Sequence, residues 1–175
     1  MPEFYDRHRK KFSESYRKWE CWFRQKPVRI RLLKIAGRVL TGAVYVAYPL
    51  LLCLLTAYYP ERLVRAIAVP LVVFLVTTAV RKGINAPRPY EYSGITPLIP
   101  KSTKGNSCPS RHTACAIVIA LAWCYGYPLF GIAMLVIAAA IAISRPLMGV
   151  HYPLDVLFGA AIALVIGGVG FFLIP

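Results

Sequence analysis

Residues 144–155 read SRPLMGVHYPLD and separate two apolar runs near the C-terminal end of the chain. This stretch places Arg145, His151 and Asp155 where the flanking sequence is almost entirely hydrocarbon. Charged side chains are costly in such surroundings, so they are usually paired and usually serve a function. The stretch therefore predicts one wall of a polar site within an otherwise apolar protein.

The composition indicates a membrane protein. Of the 175 residues 58% are apolar, and the mean hydropathy is positive. Apolar runs that approach about 20 residues predict membrane-spanning helices. The sequence thus predicts an all-α integral membrane bundle of about five transmembrane helices, formed by residues 39–175, in a multi-pass protein of the cell membrane. The predicted spans are 39–59, 63–80, 111–125, 129–143 and 153–174.

The N-terminal segment, residues 1–38, is basic, with 12 Lys and Arg against 4 Asp and Glu. Phe12, Tyr16, Trp19 and Phe23 recur at helical spacing. The pattern predicts a basic amphipathic helix, ended near Pro27, that lies on anionic lipid headgroups. A solvated basic tail is the alternative. Nucleic-acid binding is disfavoured, although the net charge is +14, because the positive charge adjoins a predicted membrane span.

The direction of each span predicts where the polar residues meet. If the first span leaves one side of the membrane, the second returns to it, and the proline-rich loop 81–110 stays there. The third span starts on that side, the fourth returns to it, and the fifth starts from it. We therefore expect the polar residues at these ends to converge on one face: Arg81, Arg88, Ser110, Arg111, His112, Arg145, His151 and Asp155.

The convergent residues suit a phosphate group. Arginine donates paired hydrogen bonds to phosphate oxygens and keeps its charge when buried. Ser110 follows a proline at the predicted start of a helix, where unpaired N–H groups and the helix dipole favour an anion. The four arginines and Ser110 are therefore candidate phosphate ligands: Arg81, Arg88, Arg111 and Arg145 with Ser110.

Two histidines supply candidate acid–base and nucleophilic groups. Asp155 follows His151 by four residues and can orient its imidazole, as in catalytic triads, which leaves His112 as the candidate proton donor. No carboxylate cluster suits Mg²⁺ and no cysteine spacing suits zinc, so we expect metal-independent chemistry without a cofactor. Cys108 lies in the polar loop and is a candidate reactive thiol.

With these residues in hand, the chain resembles the type 2 phosphatidic acid phosphatase superfamily, which includes vanadium haloperoxidases. The pattern of that family, Lys-x6-Arg-Pro, Pro-Ser-Gly-His and Ser-Arg-x5-His-x3-Asp, is matched in order by residues 81–89, 109–112 and 144–155. The resemblance implies that His151 is the nucleophile, that His112 protonates the leaving group and that Asp155 orients His151. It implies a phosphate site formed by Arg81, Arg88, Ser110 and Arg145.

Two positions depart from the family pattern. The lysine of the first motif is replaced by Arg81, and Lys82, one residue out of register, is a possible substitute. The glycine of the second motif is replaced by Arg111, which keeps the backbone N–H and adds a cationic side chain. That side chain can contact phosphate or a lipid headgroup, or point away from the site.

The sequence predicts a lipid phosphatase that acts on phosphatidic acid, phosphatidylglycerophosphate or a polyprenyl diphosphate. A non-enzymatic lipid-binding or scaffold protein with a degenerate site, and a vanadium-type haloperoxidase, are the alternatives. The basic residues 1–38 predict a site on the cytoplasmic face, whereas many members of the family face outward. The sequence leaves the oligomeric state open.

Overall fold

The computed structural model describes residues 2–92 and 94–174, whose regular structure is helical throughout. The predicted all-α class is therefore confirmed. The helices are α1 Pro2–Arg24, α2 Pro27–Tyr58, α3 Pro60–Ile84, α4 Pro89–Tyr92, α5 Arg111–Gly126, α6 Pro128–Leu147 and α7 Pro153–Gly168, which continues as a π-helix through Val169–Leu173.

Proline opens four of the long helices, at Pro27, Pro60, Pro128 and Pro153. Proline suits the first helical position because it has no N–H to leave unpaired there and its φ angle is already helical. Pro27 was expected to end the amphipathic helix, which instead ends at Arg24. Residues 27–38, predicted to belong to the basic segment, form the first turns of α2.

In the described part of the chain, four helices are long and apolar enough to span a membrane: α2, α3, α6, and α7 with its π-helical extension. Large apolar side chains cover their outer faces, and Val46, Val64 and Leu129 are all more than 70% exposed. Such surfaces suit hydrocarbon rather than water, so the chain is a multi-pass membrane protein.

The helix predicted as the third span, α5, has only 16 residues and lies at the centre of the bundle. It packs against α2, α3, α6 and α7. Small residues allow the close approach of its neighbours: a Cβ on Gly131 of α6 would come within 2.4 Å of the Cys124 backbone nitrogen. The N-terminus of this short central helix, with Arg111 and His112, therefore lies at the same end of the bundle as the start of α7.

The predicted amphipathic helix is α1, and its aromatic stripe divides between two surroundings. Phe12, Tyr16 and Phe23 pack against protein, in a cluster with Ile95 and Leu98 of the loop after α4. The hydroxyl of Tyr16 accepts the Leu98 backbone N–H at 3.1 Å, and burial raises the pKa of Tyr16 to about 12. Trp19, in contrast, is 54% exposed. Three of the four aromatic residues of the stripe thus pack against the loop.

Candidate active site

The N-terminus of α7 brings His151 and Asp155 together. Tyr152 caps the helix, and the Asp155 carboxylate reaches back to accept the Tyr152 backbone N–H at 2.9 Å. This carboxylate lies 3.5 Å from Nδ1 of His151. The expected pairing is present, but for a different reason, because His151 precedes the helix. The pair results from a capping contact rather than from two residues one helical turn apart.

His151 is almost completely buried. Burial lowers its pKa, because the charged imidazolium loses its solvation. The hydrogen bond to Asp155 and its negative charge raise the pKa again in part, and the positive charges of Arg88 and Arg81 oppose that increase. The net effect keeps the imidazole neutral near pH 7, which is the form that can act as a nucleophile.

Ser107 joins this pair, and the sequence analysis did not identify it. Its Oγ donates to Asp155 Oδ2 at 2.5 Å and lies 3.4 Å from Nδ1 of His151. The residue is fully buried. In the sequence it is one more serine in a polar loop, and the only available signal was its place three residues before Ser110.

The N-terminus of α5 provides a second wall of the site. Ser110 is the N-cap residue, and its backbone N–H donates to the Asp155 carbonyl at 2.8 Å. Gly159 of α7 makes this approach possible, since a Cβ there would lie 2.5 Å from the Ser110 carbonyl oxygen. The N–H groups of the first turn of α5 have no intrahelical acceptor and can bind an anion.

Three buried arginines, which we call the arginine cluster, complete the site: Arg81, Arg88 and Arg145. They are fixed mainly by neutral groups, since Arg81 donates to the Pro109 carbonyl at 3.1 Å and Arg145 to Thr41 Oγ1 at 2.9 Å. In the described residues none of the three forms a salt bridge, and Nε of Arg145 is buried without a hydrogen-bond partner. Buried cations need counter-charge, so this cluster suits a polyanion.

Arg81 and Lys82, the two candidates for the missing lysine, differ in exposure. Arg81 is buried in the site, whereas Lys82 is exposed. The geometry therefore favours Arg81. Arg111 is exposed at the edge of the site.

The guanidinium of Arg111 lies 6.0 Å from the centre of the Phe74 ring. The Arg111 side chain is thus directed toward Phe74 on α3.

Lys101 is a further cation that the sequence analysis did not select. Burial lowers its pKa, and the positive charges of Arg88, Arg145, Arg81 and Arg111 lower it further. Lys101 therefore lies within the electrostatic field of the arginine cluster. It belongs to the loop between α4 and α5, at the rim of the site.

A groove of about 480 Å³ leads from His112 and Arg111 between α2, α3, α5 and α6. Most of its lining is apolar and includes Tyr45, Phe74 and Cys115. His112 is half-buried at the polar end and is an electrostatic neighbour of His151 and Arg145. The groove thus joins a polar site to the membrane-facing surface of the bundle.

The sequence predicted metal-independent chemistry and a candidate reactive thiol at Cys108. Within the described residues no group of three His, Cys, Asp or Glu side chains is placed to hold a metal ion; metal independence itself stays a prediction. Cys108 was expected to be a candidate reactive thiol in a polar loop, but it is 3% exposed. Cys21 on α1 is exposed instead.

Comparison with known protein families finds a match between residues 62–174 and the PAP2 superfamily. Among solved structures, the fold is similar to Aquifex aeolicus LpxE, with 27% identity and a TM-score of 0.68 over 83% of this chain and 86% of that one. It also resembles a PAP2-type phosphatidylglycerolphosphate phosphatase from Bacillus subtilis, at 22% identity and a TM-score of 0.54 over 91% of this chain and 92% of that one, a likeness of fold alone.

Two curated proteins match shorter stretches. Lipid A 1-phosphatase of Porphyromonas gingivalis is 35% identical over 80 residues, which are 43% of this chain and 18% of that protein. Undecaprenyl-diphosphatase BcrC of Bacillus subtilis is 33% identical over 81 residues, which are 46% of this chain and 42% of that protein. The matched stretch thus spans less than half the length of both relatives.

Proposed function

Because this chain belongs to the PAP2 superfamily, we propose that it is a membrane lipid phosphatase that works through a phosphohistidine at His151. One observation carries the proposal: a buried histidine beside a carboxylate lies next to three buried arginines that form no salt bridge among the described residues. That arrangement combines a nucleophile with a site for a phosphate group.

The reaction proceeds in two balanced steps. The arginine cluster and the N–H groups at the start of α5 bind the phosphate oxygens. Nε2 of His151 attacks phosphorus, the bond to the leaving oxygen breaks, and His112 donates a proton to that oxygen. A water molecule then attacks phosphorus and gives a proton to His112, and the bond between phosphorus and Nε2 of His151 breaks to release phosphate. Asp155 stabilises the positive ring of the intermediate.

The groove supports a lipid as the substrate. Its polar end lies at His112 and its apolar lining faces outward between helices, so a lipid can enter sideways with its tail still in the bilayer. The relatives described above are a lipid A 1-phosphatase, an undecaprenyl-diphosphatase and a phosphatidylglycerolphosphate phosphatase. For this chain we propose a lipid phosphate or diphosphate: phosphatidic acid, phosphatidylglycerophosphate or a polyprenyl diphosphate.

Phosphate release by purified protein tests the activity. The protein, reconstituted in vesicles with excess EDTA, should release phosphate from at least one of these lipids, and His151→Ala should not. Activity lost on addition of the chelator would contradict metal independence. An unchanged rate in His151→Ala would remove His151 from the mechanism. Bromide oxidation that depends on added vanadate would favour the haloperoxidase alternative, and a lipid-bound protein that releases no phosphate would favour the scaffold alternative.

We further propose that α1 binds anionic lipid headgroups and that the site faces the cytoplasm. Residues 1–38 carry the basic excess that usually marks cytoplasmic segments. Cys21 lies on α1 and is exposed, so it reports the side on which α1 lies. In intact cells an impermeant maleimide should leave Cys21 unlabelled and should label it after lysis. Labelling before lysis would place α1 and the site on the outer face.

A further inference from the structure

We infer that Ser107 is a positioning residue that links His151 to Asp155 through its hydroxyl group. The inference rests on the proposed function, in which His151 attacks phosphorus. The link supplements the direct contact between the histidine and the carboxylate. It also fixes which ring nitrogen of His151 carries the hydrogen and which is available for attack.

The distances place the serine beside the direct contact. Nδ1 of His151 lies 3.5 Å from Oδ2 of Asp155, a long contact that leaves room for a second path between the two groups. Ser107 Oγ lies 2.5 Å from that same carboxylate oxygen and 3.4 Å from Nδ1. Because the serine is fully buried, no bulk water competes for either contact.

The hydroxyl has one hydrogen, and this fixes the order of donors. The short contact to Asp155 takes that hydrogen, because an ionised carboxylate only accepts. The lone pairs of Oγ then face Nδ1, which must carry a hydrogen to interact with them. Nδ1–H therefore donates to Ser107, Ser107 donates to Asp155, and Nε2 keeps the lone pair that attacks phosphorus.

The same chain of hydrogen bonds stabilises the intermediate without a proton transfer. When Nε2 bonds to phosphorus the ring becomes positive, and its Nδ1–H becomes a stronger donor to Ser107. The hydroxyl relays the stabilisation to the Asp155 carboxylate. Water attack then returns the ring to its neutral form, with the Nδ1 hydrogen in place throughout.

The surrounding loop holds Ser107 in position. Its backbone N–H donates to the Ala86 carbonyl at 2.8 Å, and the preceding Asn106 N–H donates to the side chain of Asn85 at 3.2 Å. Gly105 N–H donates to Glu91 at 2.8 Å. These contacts tie the loop before α5 to the loop after α3 and to α4, so the serine is placed by backbone structure rather than by its own side chain.

Kinetics of four variants test the link: Ser107→Ala, Ser107→Thr, Asp155→Asn and the Ser107→Ala/Asp155→Asn double variant. Loss of the orienting carboxylate of a triad costs about 10⁴-fold, and Ser107 transmits part of that effect. We expect Ser107→Ala to lower kcat by about 10- to 100-fold with little change in KM, and Ser107→Thr to recover part of the loss.

The double variant separates positioning from a structural role. If Ser107 acts through Asp155, the double variant should be about as active as Asp155→Asn alone. Ser102→Ala, a control on the same loop with an exposed side chain, should have the wild-type rate. An active wild type with an unaffected Ser107→Ala, or two losses that multiply in the double variant, would overturn the link and leave the proposed function intact.

A second measurement does not depend on activity. The chain has only three histidines, so ¹⁵N-histidine NMR of the folded protein in detergent can resolve His151, with assignment by His8→Ala and His112→Ala. At pH 8 the wild type should show the Nδ1–H tautomer of His151, and Ser107→Ala should show a mixture with Nε2–H. An identical tautomer in both proteins would overturn the inference.

Discussion

The Arg88 guanidinium donates to the Val150 carbonyl at 3.2 Å and so ties the loop after α3 to the residue that precedes His151. Its Nε donates at the same time to the Gly105 carbonyl at 3.1 Å. One side chain thus braces both the nucleophile and the loop that carries Ser107. Only the planar fork of arginine can serve two acceptors in this way.

Arg88→Lys should therefore damage the site although it preserves the charge. A lysine cannot span both carbonyls, and a lost hydrogen bond to a charged group is worth about 1.5–3 kcal/mol. We expect kcat/KM to fall by about 10- to 100-fold in the phosphate-release assay. Arg31→Lys, at an exposed position, is the matched control. Equal activity of the two variants would show that the fork is not needed.

Arg81 and Lys82 allow a comparison of neighbouring residues. Arg81 is buried at the site and bonds to the Pro109 carbonyl, whereas Lys82 is exposed. Arg81→Ala should lower kcat/KM by about 100-fold, since it removes a charge-assisted phosphate contact. Lys82→Ala should retain the wild-type value within about twofold. The reverse ranking would assign the role of the missing lysine to Lys82.

Burial of His151 predicts a dependence of stability on pH. Its pKa is lowered in the folded protein. Below the unfolded pKa of about 6.5, His151 is therefore protonated in the unfolded chain but not in the folded protein. Stability should therefore fall as the pH drops from 7 toward 5. Thermal unfolding in detergent should show a smaller fall for His151→Gln. A wild type and variant with equal pH dependence would contradict this assignment.

The contact of Tyr16 with Leu98 predicts a stabilising role for α1. Tyr16→Phe removes the only side-chain hydroxyl of that contact and leaves a buried N–H unpaired, at a cost of about 1–3 kcal/mol. Trp19→Phe, at the half-exposed position on the same helix, should cost less than about 0.5 kcal/mol. Chemical denaturation in detergent measures both. Equal losses of stability in the two variants would show that the hydrogen bond between Tyr16 and Leu98 does not stabilise the protein.

The groove predicts a chain-length effect. Cys115 is half-buried in its lining, so Cys115→Phe narrows it. We expect kcat/KM to fall about 10-fold for a long-chain lipid phosphate, since about two buried methylenes at about 0.8 kcal/mol each are displaced. A short, water-soluble phosphate ester should be hydrolysed as before. Cys53→Phe, on the exposed face of α2, should affect neither substrate; equal losses for both substrates would exclude the groove.

Much of the architecture follows from the sequence, because hydrocarbon length, proline positions and helix direction are local properties. They place Arg81, Ser110, Arg145 and His151 at one end of the bundle. The four-residue spacing adds the pairing of His151 with Asp155. The spacing does not predict how the Asp155 carboxylate reaches His151. A carboxylate that caps a helix and a pair within a helix can have the same separation of four residues.

Ser107 and Lys101 show why the rest required the structure. Both lie in a loop that has no periodicity. The position of Ser107 depends on contacts with residues more than ten positions away, such as Ala86. The packing of α1 against the loop could not be predicted from the sequence for a similar reason. A stripe that contains Tyr16 fits a lipid surface as well as a protein loop, and only the tertiary contact with Leu98 distinguishes them.

Trapping of the phosphoenzyme tests the central claim most directly. Wild-type protein is mixed with a ³²P-labelled lipid phosphate in excess EDTA and quenched within milliseconds, and the labelled residue is located by mass spectrometry. We expect the label on His151 in the wild type and none in His151→Ala. Label on another residue, or turnover with no label on the protein at any time, would contradict the phosphohistidine mechanism.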